Sequence, residues 1–200
     1  MTNRLVVAIT GASGAIYGVR LLQRLAELPV ETHVIISRWA RVTIDHETPH
    51  SYEDVKALAD VLYGEGDQAA AISSGSFVTR GMVIAPCSTK TLAAIASGFS
   101  YNLVCRAADV ILKERRPLVL AVRETPLSSI HLRNMLTLSD MGATILPPTP
   151  AFYHRPETID DIVDQTVLRI LDQLGFGLEA DSRWTGLWPE PGGGPSDESD

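Results

Sequence analysis

The order of its apolar segments constrains this chain more than any other feature. Five short runs rich in β-branched residues, at 5–9, 33–36, 82–85, 118–122 and 143–146, are almost continuously apolar. Strands buried on both faces have this pattern. Between them lie stretches with helical spacing: Val19, Leu21, Leu22, Leu25 and Leu28 follow the first run, and Leu103, Ala107, Val110 and Ile111 precede the fourth. This alternation predicts βαβ crossovers and a three-layer α/β fold with a parallel sheet. A last helix is expected over 158–174, with Asp160 and Asp161 at its positive end and Gly175 and Gly177 beyond its close. No repeat or linker interrupts 1–180. One domain is therefore expected over 1–184, followed by a disordered acidic Gly/Pro tail over 185–200.

Acidic residues outnumber basic ones, 24 to 17, for a formal net charge of -7. That balance argues against nucleic acid or an anionic membrane as general partner. Any anion the protein binds needs a local cluster of cations. Two cysteines, Cys87 and Cys105, cannot build a disulfide framework, and no apolar stretch approaches the ~20 residues of a membrane helix. A reduced, cytoplasmic protein is expected.

The first strand leads into Thr10-Gly11-Ala12-Ser13-Gly14-Ala15 and a helix opens at once. Backbone N–H groups in such a turn can approach a phosphate, with the helix dipole favouring the anion; a tight turn without a ligand explains the residues too. The spacing matches neither G-x-G-x-x-G nor a Walker A loop. The other strands end at Ser37, at Pro86-Cys87-Ser88-Thr89-Lys90-Thr91 and at Arg123-Glu124-Thr125-Pro126. In a parallel sheet these ends share one edge, where open α/β folds bind ligands. Ser88, Thr89 and Thr91 read equally well as helix caps. Arg106 and Lys113 share a helix face beside Asp109, and a solvated stripe accounts for them. Cys87 reads as a packing residue more readily than as an activated thiol. A catalytic zinc is not expected from the histidines. The rigid segment Pro147-Pro148-Thr149-Pro150-Ala151-Phe152-Tyr153-His154-Arg155-Pro156 either turns a corner or forms a lid presenting Tyr153, with Trp184 as an anchor or a second wall.

Taken together, Thr10-Gly11-Ala12-Ser13-Gly14, Pro86-Cys87-Ser88-Thr89, Arg106-Ala107-Ala108-Asp109-Val110, the block from Lys113 to Leu120, Arg123-Glu124-Thr125-Pro126 and Phe152-Tyr153-His154 resemble the UbiX-type flavin prenyltransferases. The resemblance runs over about 4–184 and is closest to the branch once called phenylacrylic or phenolic acid decarboxylase. It implies a flavodoxin-like Rossmann fold, reduced FMN bound as co-substrate, no metal, and a homododecamer with active sites at subunit interfaces. It also implies transfer of the dimethylallyl group of dimethylallyl monophosphate to flavin N5 and C6, and delivery of prenylated FMN to a UbiD-type decarboxylase. Carried over residue by residue, it puts Gly11, Ala12, Ser13, Ser37, Ser88, Thr89, Lys90, Thr91, Arg106 and Arg123 on FMN. Lys113, Arg123, Glu124, Tyr153 and Arg169 surround the prenyl phosphate. Ser13, Glu47, Lys113, Arg123, Glu124, Tyr153 and Trp184 take part in the chemistry.

On that reading Lys113, Arg123 and Arg169 neutralise the leaving phosphate. Tyr153, Trp184 and the flavin enclose an allyl cation with π faces, and Glu47 or Glu124 takes the proton lost from flavin C6. In one departure, no tryptophan lies between Tyr63 and Ser74-Gly75-Ser76, where some members carry one; Gln68 stands near that place. Two other readings are an FMN-dependent cysteine decarboxylase of the same fold and a non-catalytic FMN carrier.

Overall fold

In order along the chain, the elements are β1 (Arg4–Ile9), α1 (Ala15–Ala26), β2 (Glu31–Ile36), α2 (Arg38–Glu47), α3 (Tyr52–Lys56), β3 (Val61–Tyr63), β4 (Met82–Cys87), α4 (Thr89–Ala96), α5 (Leu103–Lys113), β5 (Leu118–Val122), α6 (Ser129–Asp140), β6 (Thr144–Ile145) and α7 (Ile159–Gln173). This computed structural model describes residues 3–180, 183, 184 and 186. Apart from Gly186, the expected acidic tail lies outside the described residues.

The six strands pair in parallel in the order β3-β2-β1-β4-β5-β6. This is a doubly wound order; without the three-residue β3 it becomes the flavodoxin-like order 2-1-3-4-5. Alternating side chains divide the core. Val6, Ala8, Met82, Ile84, Leu118 and Leu120 pack beneath α4, α5 and Leu138 of α6. Leu5, Val7, Ile9, Val83, Val119 and Ala121 pack on the other face against α1, α2 and α7. Gly18 lets α1 rest directly on β4, because an added Cβ would lie 2.4 Å from the Ala85 carbonyl oxygen. Arg20 ties α1 to α7 through Asp160 and Asp164, at 3.0 and 2.7 Å.

Five strands are expected from the sequence and six are present among the described residues. The addition, β3, is half-buried throughout and forms a short sheet edge whose apolar run, Val61-Leu62-Tyr63, is only three residues long. Where β3 meets β2, His33 is buried, with Nδ1 2.9 Å from the Tyr63 hydroxyl and Nε2 3.0 Å from Glu31 Oε1. The closing helix falls where expected. Thr158 caps α7 in a capping box, and hydrogen bonding to Thr158, then to the Glu157 N–H, holds the Asp161 carboxyl below the usual carboxylate range.

Candidate active site

The strand order reverses between β1 and β4, which opens a crevice at their C-terminal ends. The buried Thr10 joins its two sides: its Oγ1 donates to the Pro86 carbonyl at 2.8 Å and accepts from the Ser88 N–H at 2.9 Å. The Ser37 N–H donates to the Ile9 carbonyl and that of Arg123 to the Cys87 carbonyl. The glycine turn, Ser37, Ser88 and Arg123 thus share one rim. Ser37 caps α2 and Ser88 caps α4, so the capping role expected of Ser88 holds. Gly14 starts α1 with φ 93°, a left-handed conformation that favours glycine. Gly11 lies against the first turn of α2, where an added Cβ would come 2.3 Å from Trp39 Cβ.

The start of α1 differs from the simplest expectation. Glu47, the last residue of α2, places Oε2 2.7 Å from the Gly14 N–H and 3.3 Å from the Ala15 N–H. A carboxylate therefore takes the dipole that the turn alone would offer a phosphate. Glu65 does the same for α2, accepting from the Arg38 N–H at 2.9 Å while its other oxygen accepts from Asn102 at 2.8 Å. At the start of α4, by contrast, Thr89, Lys90 and Thr91 bring hydroxyls and a cation and no acid. Arg123 is exposed beside this rim, and its charge opposes the upward push of burial on the half-buried Tyr17 phenol. Glu124 follows, accepting from the Thr125 N–H. Sequence reasoning missed Trp39, Tyr17 and Glu65, which reach the rim through contacts that local spacing does not encode.

The remaining expected residues lie elsewhere on the chain. Arg106 binds the Ser73 carbonyl and Asp109. Lys113 is 2.5 Å from Glu114 and holds that carboxyl below its usual range. Because α5 runs back toward the start of β5, Lys113 sits at the sheet edge opposite Arg123. Arg169 is on α7, across the sheet from α5 and about 15 Å of helix beyond its first residue. With Tyr153 and Trp184 it lines a groove of about 590 Å³. The Tyr153 and Trp184 rings meet edge to face at 5.5 Å. One chain thus divides the expected residues among a rim, the α5 face and the α7 groove. Gln68, far from aromatic in chemistry, donates to the Ser100 carbonyl at 3.3 Å.

The family model described as Flavoprotein matches residues 1–171. The flavin prenyltransferase UbiX of Escherichia coli (strain K12) is 57% identical over 187 residues, covering 92% of this chain and 99% of the relative. The chain belongs to the UbiX family of flavin prenyltransferases. The UbiX-family likeness extends to solved structures. A dodecameric FMN-dependent UbiX-like decarboxylase from Escherichia coli O157:H7 aligns with a TM-score of 0.88 at 59% identity, covering 92% of this chain and all of the other. The structure of AnUbiX (PadA1) in complex with FMN and dimethylallyl pyrophosphate aligns at 0.89 and 52%, covering 93% and 99%.

The rim fits the family's flavin. Gly11 is bare where a Cβ would meet Trp39, Ser37 and Ser88 bring hydroxyls, the start of α4 offers backbone donors, and the Arg123 guanidinium adds a positive charge. Cys87 and Cys105 are buried, and burial pushes both thiols up, Cys105 to about 12. Neither is activated for attack, so the packing reading of Cys87 stands.

Proposed function

We propose that the protein transfers the dimethylallyl group of dimethylallyl monophosphate to N5 and C6 of reduced FMN, yielding prenylated FMN for a UbiD-type decarboxylase. The observation that carries this reading is the rim. An anion-ready helix start and Arg123 stand beside two glutamates, Glu47 and Glu124, while the one cysteine at that edge is buried and inert. Such a site suits a reaction whose nucleophile is the flavin rather than a side chain.

In this mechanism Gly11, Ala12, Ser13, Ser37, Ser88, Thr89, Lys90, Thr91 and Arg123 hold FMN, with Arg106 contributed from the α5 face. Reduced flavin supplies the nucleophilic N5 and C6. Lys113, Arg123 and Arg169 neutralise the phosphate as the allylic carbon–oxygen bond breaks, in place of a metal ion. Tyr153 and Trp184 exclude water and offer π faces to the developing positive charge. Ser13 stands between phosphate and flavin, and Glu47 or Glu124 accepts the proton released from C6. Since one chain separates Lys113, Arg123 and Arg169, the complete site is assembled between subunits of a homododecamer in the cytoplasm. The exposed Ile130, Leu132 and Leu136 of α6 suit burial in such an assembly.

Anaerobic incubation with reduced FMN and dimethylallyl monophosphate, followed by mass spectrometry of the extracted flavin, tests the reading. Added prenyl mass is expected, and its absence overturns it. A parallel incubation with the diphosphate establishes donor preference.

A further inference from the structure

Gln165 and Arg169 line the α7 groove, and with Asp172 they occupy one stripe of the helix, four and three residues apart. Gln165 is only 6% exposed, and a buried amide requires partners. Its Nε2 donates to the Tyr153 hydroxyl at 3.1 Å. The tyrosine ring is further held edge to face by His154 and Trp184, each at 5.5 Å. A phenol has one proton to give. With its oxygen accepting from Gln165 on the protein side, that proton is left to turn into the groove, which Arg169 also lines. Arg169 itself is braced by Asp172 at 3.1 Å.

We propose that Gln165 is a positioning residue that makes the Tyr153 hydroxyl a hydrogen-bond donor to the phosphate of the prenyl donor. The inference rests on the reading that Tyr153 meets that phosphate. An amide suits the task and a carboxylate does not. A glutamate at this position would accept the phenolic proton and set a negative charge beside an anion site.

The test uses the FMN-loaded assembly and steady-state kinetics with dimethylallyl monophosphate. Gln165→Glu is expected to raise KM by about ten-fold or more, the range for losing a hydrogen bond to a charged group, with kcat and FMN affinity little changed. The near-isosteric Gln165→Met should raise KM less, and should add nothing in a Tyr153→Phe background, because coupled residues are not additive. An equal increment from Gln165→Met in both backgrounds would overturn the proposal. So would loss of flavin or of assembly in Gln165→Met, which would assign the residue to packing. If Tyr153→Phe raises KM while both Gln165 variants are silent, the positioning role alone fails. If Tyr153→Phe leaves KM unchanged, the reading of Tyr153 fails and takes the proposal with it.

Discussion

A carboxylate at the start of a helix competes with any phosphate for the same N–H groups, and Glu47 holds those of Gly14 and Ala15 in that way. Removing it by Glu47→Ala should abolish most prenyl transfer while FMN still binds, read by flavin fluorescence and product mass. Retained transfer would relieve Glu47 of its role. At Gly11 the effect should be reversed. Gly11→Ala drives a Cβ toward Trp39, displaces the first turn of α2, and should weaken FMN binding by about ten-fold, equivalent to ~1.4 kcal/mol. The glycine turn was legible in the sequence because its chemistry is local. Glu47 was legible only through family resemblance, since nothing near His46-Glu47-Thr48 shows that it reaches a turn more than thirty residues earlier. Glu65 and Gln165 carried no signal at all, because each acts through a partner remote in the chain or across a loop.

Among elements, legibility followed burial. Strands β1, β2, β4 and β5 are apolar over nearly their whole length and were readable as runs. Helix α2 buries only Ala40 and Ile44, and α6 only Leu138, so neither prints a clear apolar stripe. Two substitutions probe how elements hold the rim. Ser88→Ala removes the α4 cap and should cost about 1 kcal/mol in denaturant unfolding, with weaker FMN binding. Gly18→Ala pushes α1 off β4 and should cost about 1–3 kcal/mol. The β2–β3 edge adds a pH dependence. Burial, opposed by Glu31, pushes the His33 imidazole below its usual pKa, so the unfolded chain takes up a proton that the folded chain resists. The stability from this group is therefore present above about pH 6.5 and is lost as pH falls toward the folded value. Melting curves at pH 7.5 and 5.5 should show this loss, and His33→Gln should reduce it.

At the scale of the molecule, the sheet separates the three cations proposed to neutralise the prenyl phosphate. Lys113 lies at one edge and Arg123 at the other, with Arg169 across the sheet from α5. Replacing the exposed α6 residues, as in Leu132→Glu with Leu136→Glu, should give smaller species by gel filtration that bind FMN yet form no product. Composition and motif order did not convey this partition, because they say which residues exist and not where each stands; only the family resemblance implied sites at subunit interfaces. The partition has a genetic consequence. Lys113→Ala and Arg123→Ala, each inactive alone, should complement when the two chains are refolded together or co-expressed, because some interfaces then pair an intact lysine from one chain with an intact arginine from the other.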